Sequence, residues 1–325
     1  MEISTMETRT DLTAFAQKTG EIKQRIAEII VGQTDAVDLL LTCVIADGHV
    51  LLEGVPGVAK TLLARLVSRL IDACFSRVQF TPDLMPSDVL GTSVFNMKTS
   101  EFDFHPGPAF ADIVLADEIN RAPAKTQAAL FEVMEERQAT IDGTSYAMGD
   151  VYTIIATQNP VEHEGTYRLP EAQLDRFLMK ITMGYPSVEE EVEILSRHNA
   201  RSNFSRLDDV QPVITKDELL GLRAMLDSVV VDASLLRYIA QIVAESRESR
   251  AVYVGCSPRA SVAMLQCAKA YALLQGRDFV TPDDIKTVAP NVMQHRLQLT
   301  AETEMEGFTP LDVARKLIEK VEVPK

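Results

Sequence analysis

The sequence is poor in cysteine and contains no tryptophan. Its four cysteines, Cys43, Cys74, Cys256 and Cys267, have no C-x-x-C spacing, which argues against a metal site. We therefore expect buried thiols in a reducing compartment and predict a cytoplasmic protein. The N-terminus lacks a basic segment followed by an apolar one, so we expect no signal peptide.

Long apolar runs and positive charge are also scarce. The longest apolar stretch, near LLLTCVIA, is too short to cross a bilayer, so we expect no transmembrane segment. Lys and Arg number 32 against 47 Asp and Glu, which gives a formal net charge of -15. A surface with this balance repels polyanions, which argues against nucleic acid as a partner. The length of 325 residues predicts two or three globular domains.

The segment GVPGVAKT (54–61) differs by one residue from the phosphate-binding pattern G-x-x-x-x-G-K-[ST]. It lies between an apolar run typical of a buried strand and leucines at helical spacing, as a phosphate loop requires. Lys60 would reach the β- and γ-phosphates of a nucleotide, and the Thr61 hydroxyl would bind Mg²⁺. The nucleotide-binding candidates in this loop are Gly54, Val55, Pro56, Gly57, Val58, Ala59, Lys60, Thr61 and Leu62.

Ala59 is the departure from the pattern, which has glycine before the lysine. We expect a negative φ at Ala59, in which case the methyl group costs little at the entrance of a helix. A positive φ would cost about 1 kcal/mol or more. On this expectation the loop is a working site with a tolerated substitution.

The second chemical motif is IVLADEIN (113–120), an apolar run followed by two acids. Its carboxylates would emerge at the C-terminal end of a buried strand, where α/β sheets bind ligands. Asp117 would bind Mg²⁺, and Glu118 would accept a proton from the attacking water. A lone Asp-Glu pair could be a solvated strand end, but the phosphate loop upstream favours the catalytic interpretation.

Two further polar residues follow predicted structural elements. Asn159 ends the strand-like run YTIIATQNP and could orient the attacking water, or form an Asx turn before Pro160, or both. Arg176 follows a short predicted helix in LPEAQLDRF. It could pair with Asp175 at the surface or reach the γ-phosphate of a neighbouring subunit, which requires a ring.

The chain changes character near residues 184–187. Segments such as DASLLRYIAQIVAESR and SPRASVAMLQCAKAYALLQG have the periodicity of amphipathic helices, so we predict an all-helical second domain. Arg259, at the start of one of these helices, could sense the γ-phosphate or form a salt bridge on the helix face.

Five segments together resemble the MoxR family of AAA+ ATPases: LLEGVPGVAKT, QFTPDLMPSDVLGT, LADEINRAPAKTQAALFEVMEERQ, IIATQNPVEHEGTYRLPEAQLDRF and GCSPRAS. The resemblance runs in family order from about residue 20 to the C-terminus. It implies an α/β P-loop NTPase core with a parallel sheet, followed by a helical lid. The corresponding domains are an N-terminal extension (1–20), the nucleotide-binding domain (21–185) and the lid (186–325).

The resemblance also implies roles for individual residues. Val31, Gly32 and Gln33 in IVGQ match the segment that contacts adenine. Asn159 matches sensor 1, Arg259 matches sensor 2, and Arg176 matches the arginine finger that acts across a subunit interface. Arg168 and Arg121 are nearby alternatives to Arg176 for that role.

Two hairpins are predicted between these motifs. The family carries an insert in the second core helix, and SVFNMKTSEFDFHPGPAF (93–110) supplies it, near residues 91–108, with a turn at 98–100. RQATIDGTSYAMGDVYT (137–153) turns at Asp142–Gly143, a strong hairpin signal. Both hairpins could project from a ring and contact the protein on which it acts, or they could pack on the core.

Three functions are compatible with this sequence. The resemblance implies a Mg²⁺-dependent ATPase that acts as a hexameric, chaperone-like machine on a protein client, with a von Willebrand factor A domain partner. The second is a nucleic-acid motor, against which the charge argues. The third is a nucleotide-gated binding module with little turnover, which only Ala59 favours.

Overall fold

This computed structural model describes residues 12–159, 167, 169–199 and 207–324. The strands in these ranges are β1 (Val50–Gly54), β2 (Phe75–Gln79), β3 (Gly91–Asn96), β4 (Glu101–Pro106), β5 (Ile113–Asp117), β6 (Gln138–Ile141), β7 (Thr144–Ala147), β8 (Thr153–Gln158), β9 (Met179–Met183), β10 (Val252–Val254) and β11 (Gln298–Leu299). The α-helices are α1 (Thr13–Ile29), α2 (Thr34–Ile45), α3 (Lys60–Leu70), α4 (Pro86–Leu90), α5 (Ala124–Glu136), α6 (Glu171–Leu174), α7 (Val188–Asn199), α8 (Lys216–Met225), α9 (Ala233–Glu248), α10 (Pro258–Leu274), α11 (Pro282–Met293), α12 (Ala301–Met305) and α13 (Pro310–Lys320).

A five-stranded sheet in the order β2-β5-β8-β1-β9 forms the centre of the first domain. All neighbouring strands in it are parallel. The three inner strands are the apolar runs of the sequence, because strands covered on both faces must be apolar along their whole length. The predicted parallel α/β core is confirmed.

Successive residues of the sheet contribute to two different cores. Val50 and Leu52 belong to a core with α2, α3 and the C-terminal helices. Leu51, between them, belongs to a second core with Leu130 and Phe131 of α5. Side chains alternate across a strand, so helices cover both faces of the sheet. The C-terminal ends of the strands remain as the edge where a ligand can bind.

The C-terminal region is helical and packs against the helices that precede β1. Arg223 of α8 donates to the carbonyl oxygen of Val44, and Gln266 of α10 donates to that of Ala46. The region also contains β10 and β11, a short antiparallel pair that the all-helical prediction did not include. These strands are only three and two residues long, too short for a periodic pattern in the sequence.

Helix α1 crosses the boundary that the sequence suggested after residue 20. It is continuous from Thr13 to Ile29, and Lys18 forms an ion pair with Glu218 of α8. Residues 13–20 are therefore part of the folded domain. The other proposed boundary, near residue 185, falls between β9 and α7 and stays a prediction.

Both predicted hairpins are present. β3 pairs with β4, and β6 pairs with β7 across a turn in which Asp142 and Gly143 have φ values of 50° and 80°. These positive values at both central residues explain the choice of Asp-Gly. The Phe104 ring of the first hairpin stacks on Tyr146 of the second, with centroids 4.0 Å apart. The two hairpins therefore contact each other.

The cysteines are unpaired, and three of the four are buried. Cys74 is exposed, which differs from the expectation of buried thiols throughout. Among the helices described, none combines the length and apolarity needed to span a bilayer.

Candidate nucleotide site

The phosphate loop connects β1 to α3, and two glycines set its path. A Cβ atom on Gly54 would lie 2.6 Å from the carbonyl oxygen of Met183 in β9, so no larger residue fits between these strands. Gly57 has a φ of 91°, in the region where a side chain is strained. The predicted strand–loop–helix arrangement therefore exists at residues 50–70.

Ala59 corrects the expectation of a negative φ. Its φ is 64° and its ψ is 20°, in the left-handed region, immediately before the first residue of α3. This conformation costs a non-glycine residue roughly 1–2 kcal/mol. The substituted position is therefore one where glycine would be unstrained, and the loop keeps its shape in spite of the methyl group.

Lys60 is buried beneath the loop. Its Nζ donates to the carbonyl oxygen of Gly54, and it lies 3.0 Å from Oδ1 of Asn159 and 3.5 Å from the carbonyl oxygen of Gln158. Burial lowers the pKa of Lys60, while the charges of Asp117, Glu118 and Glu53 act in the opposite direction. The ammonium group lies at the phosphate loop beside the ends of β1 and β8, where it could bind an anion such as a phosphate.

Asp117 ends β5 next to the loop. Its Oδ1 accepts a 2.6 Å hydrogen bond from Thr157 Oγ1, and its Oδ2 lies 3.4 Å from Thr61 Oγ1. The hydroxyl and carboxylate oxygens of Thr61 and Asp117 are hard ligands of the kind that Mg²⁺ prefers. A metal ion that also binds nucleotide phosphates fits this pair.

Glu118 follows Asp117 in a strained backbone conformation. Its φ is 56°, and its N–H donates to Thr157 Oγ1 at 2.9 Å. Its carboxylate accepts from Asn159 Nδ2 at 3.4 Å, from Gln79 Nε2 at 3.0 Å and from Arg121 Nη1 at 2.9 Å. Strained residues held by several contacts are typical of functional sites. Arg121 is thus in contact with the Glu118 of its own chain.

The predicted adenine segment lies at the same end of the sheet. Gly32 and Gln33 have φ values of 69° and 59°, and the Gln33 amide donates to the carbonyl oxygen of Gly184 at 2.9 Å. Gly184 follows Met183, which pairs with Gly54. The turn containing Val31 is therefore beside the phosphate loop, between β9 and α2.

Arg176 and Arg259 lie at the opposite end of the sheet. Arg176 forms a 2.8 Å ion pair with Glu135 and donates to the carbonyl oxygen of Phe131. Arg259 is 3.6 Å from the same Glu135 and 3.8 Å from Asp175. Strands β1 and β9 are parallel neighbours. The contacts of the two arginines lie near the start of β9, whereas the phosphate loop follows the end of β1. The two arginines are therefore not at the phosphate loop of their own chain. Arg168 lies outside the described residues.

The partners of these arginines differ from those that spacing suggested. Arg176 does not pair with Asp175, whose carboxylate accepts from Arg296 at 2.6 Å. Arg259 does not pair along its own helix, because Glu135 belongs to α5 and Asp175 follows α6. The Arg259 side chain is 65% exposed, so it is accessible to another molecule in spite of these contacts.

Four residues of this arrangement were not found from the sequence: Arg77, Gln79, Glu135 and Thr157. Arg77 donates to Asp117 and Gln79 donates to Glu118, both from β2. The signal was present, since two polar residues alternate with apolar ones in FSRVQF. Only the pairing of β2 with β5 shows which carboxylates they contact.

A phosphate loop after one inner strand and an acidic pair after another define the class of P-loop NTPases, here with a helical lid. Profiles of two families match the chain, the "ATPase family associated with various cellular activities (AAA)" at residues 49–179 and the "AAA lid domain" at residues 244–317.

Similar proteins cover nearly the whole chain. Protein YeaC of Bacillus subtilis, described as uncharacterized, is 47% identical over 94% of both chains. Chaperone MoxR1 of Mycobacterium tuberculosis is 42% identical over 92% of this chain and 81% of its own. The crystal structure of a "putative ATPase" from Cytophaga hutchinsonii has a TM-score of 0.88 at 40% identity, covering 97% of both chains. The protein therefore belongs to the MoxR family of AAA+ ATPases.

Proposed function

We propose that the protein binds ATP with Mg²⁺ at residues 54–62 and hydrolyses it. The observation that carries this proposal is the position of Asn159, which contacts both Lys60 and Glu118. One amide thus connects the group that would bind the γ-phosphate with the group that would activate water. Catalysis here needs positioning and charge stabilisation more than covalent chemistry.

Each proposed role rests on the family resemblance or on the motif chemistry, and the contacts described above support those of Thr61, Asp117, Glu118 and Asn159. Thr61 and Asp117 would hold Mg²⁺, which neutralises charge on the phosphates when bound. Glu118 would accept the proton of the attacking water, and Asn159 would orient that water. Val31, Gly32 and Gln33 would contact the adenine from the neighbouring turn.

The positions of Arg176 and Arg259 support a ring. A strand of five residues spans about 13 Å, so neither side chain is beside the phosphates of its own subunit. Both would reach the site of a neighbouring subunit in a closed homo-oligomer, for which the family resemblance implies a hexamer. Arg259 would then act in trans together with Arg176, instead of over its own nucleotide.

The client in this proposal is a protein, remodelled in a chaperone-like manner with a von Willebrand factor A domain partner in the cytoplasm. One relative bears the name chaperone. The first hairpin supports the proposal, because Phe95, Met97 and Phe102 are exposed there and offer an apolar surface. The net charge of -15 favours a protein client over a nucleic acid.

The test compares Glu118→Gln with the wild type and with Glu132→Gln, an exposed glutamate of α5. We expect Glu118→Gln to bind a fluorescent ATP analogue normally. Its rate of phosphate release should fall by a factor of about 100 or more, because the proton acceptor is lost. Glu132→Gln should match the wild type in both assays.

Other outcomes separate the alternatives. Equal phosphate release by Glu118→Gln and wild type would contradict the proposed mechanism. Tight ATP binding by the wild type without phosphate release would favour the nucleotide-gated module. Strong, salt-sensitive stimulation of the ATPase by DNA would favour the nucleic-acid motor.

A further inference from the structure

A chain of hydrogen bonds connects the two carboxylates through β2. Arg77 donates to Asp117 Oδ2 from Nε at 3.1 Å and from Nη2 at 2.6 Å. The same Nη2 donates to Gln79 Oε1 at 2.8 Å, and Gln79 Nε2 donates to Glu118 Oε2 at 3.0 Å. The candidate metal ligand and the candidate general base are thus joined by two side chains of one strand.

Arg77 and a metal ion would need the same oxygen. Oδ1 of Asp117 is taken by Thr157, whereas Oδ2 faces Thr61. Both hydrogen bonds from Arg77 go to Oδ2. A guanidinium and a divalent cation at one carboxylate oxygen repel each other, so the two compete.

Arg77 is able to yield this position. Its side chain is 48% exposed, so the guanidinium can turn into water without being buried unpaired. Gln79 is also exposed, and its oxygen is oriented by Arg77. Movement of Arg77 would therefore remove the contact that fixes the Gln79 amide against Glu118.

We propose that Arg77 is a positioning residue that competes with Mg²⁺ for Asp117 and transmits the result through Gln79 to Glu118. Arg77 would leave Asp117 when a metal ion binds there; Gln79 would then be free, and the Glu118 carboxylate would lose one of its three donors. The general base is thereby released when the metal is in place. This inference rests on the proposed function of the site.

The first experiment measures binding of Mg²⁺ instead of turnover. Protein loaded with a fluorescent ATP analogue is titrated with Mg²⁺, and the half-saturating concentration is compared for wild type, Arg77→Gln and Arg77→Lys. Arg65→Gln is the control, since Arg65 is an exposed arginine of α3 near the loop. It changes the net charge equally without touching Asp117.

We expect Arg77→Gln to lower the half-saturating Mg²⁺ concentration about two- to five-fold, the size of a half-exposed ion pair. Arg77→Lys should give a smaller decrease, because it keeps the charge but loses the two-pronged contact. Arg65→Gln should leave the value unchanged. An unchanged or higher value in Arg77→Gln would overturn the competition.

The second experiment tests the connection to Glu118. Phosphate release is measured for Arg77→Gln, for Gln79→Ala and for the double variant at a Mg²⁺ concentration below half-saturation of the wild type, where Arg77 still contacts Asp117 in most molecules. If Gln79 transmits the effect, the two changes are not additive, whereas additive changes would overturn that step. Thermal unfolding of each variant separates this effect from a loss of stability.

Failure of this inference is distinguishable from failure of the proposed function. If the wild type binds no nucleotide, the proposed function is wrong. If it binds nucleotide and Mg²⁺, and Arg77→Gln has no effect on the Mg²⁺ titration, only the role of Arg77 is wrong.

Discussion

Three residues of the site have positive φ values without being glycine: Gln33 in the predicted adenine segment, Ala59 and Glu118. For Ala59 the conformation is required by the loop, because the chain must turn there before α3 begins. For Glu118 it directs the carboxylate toward Asn159, Gln79 and Arg121. The strain at both positions is offset by the packing and hydrogen bonds of the surrounding strands.

Replacing Ala59 with glycine should stabilise the protein. Relief of the left-handed strain outweighs the added freedom of the unfolded chain, so we expect the free energy of unfolding to rise by about 0.5–1 kcal/mol. Ala240→Gly, at an exposed position inside α9, should lower it by about 1 kcal/mol. Urea unfolding of both variants checks this. If Ala59→Gly lowered the free energy of unfolding as much as Ala240→Gly does, the positive φ at Ala59 would be contradicted. Phosphate release by Ala59→Gly should stay close to wild type.

Buried contacts between elements depend on a neutral histidine. His49 precedes β1, accepts from the N–H of Ile154 in β8 at Nδ1, and donates from Nε2 to the carbonyl oxygen of Met134 in α5. Burial, followed by the charge of Arg137, lowers the pKa of His49 to about 3. The folded chain therefore keeps His49 neutral until the pH approaches about 3.

This histidine makes stability fall as the pH is lowered. The unfolded chain binds a proton near pH 6.5 and the folded chain only near pH 3, so stability is lost between these values by up to about 1.4 kcal/mol per pH unit. We expect His49→Gln to be less stable than the wild type at pH 7.5. Its free energy of unfolding should also fall less steeply as the pH is lowered from 6.5 to 5. Urea unfolding at several pH values tests this, with the exposed His105→Gln as control. An unchanged slope in His49→Gln would contradict the neutral state.

At the scale of the whole molecule, the site and the two arginines are at opposite ends of the sheet. Arg176 and Arg259 share Glu135, and Arg259 is exposed. A single chain therefore places neither arginine beside its own phosphate loop. In the proposed function a second subunit would supply them, as arginine fingers that act in trans do.

Mixing variants tests this arrangement. Arg176→Ala and Glu118→Gln should each lose phosphate release when assayed alone. In an equal mixture, about a quarter of the interfaces would join an intact Glu118 to an intact Arg176 of the neighbouring subunit, and activity should return at those interfaces. A mixture of Arg176→Ala with the Arg176→Ala/Glu118→Gln double variant is the control, because no interface in it is complete. Failure of the first mixture to exceed this control would exclude a shared site.

Local sequence determined the elements and most of the candidate site. The apolar runs before Gly54, Asp117 and Asn159 predicted inner strands, because only a strand covered on both faces is apolar throughout. The residues at their ends could then be placed at one edge of a parallel sheet. The turn of the second hairpin could also be predicted from local sequence, because Asp-Gly is the pair that readily adopts the two positive φ values of such a turn.

Tertiary structure decided what depends on contacts between distant segments. The φ of Ala59 follows from how the loop joins β1 to α3, and propensity alone suggested the opposite sign. The partners of Arg77, Gln79, Arg176 and Arg259 belong to elements far away in sequence, so spacing could not identify them. The sequence by itself determined which chemical groups are present and on which elements, while the packing of those elements determined which groups meet.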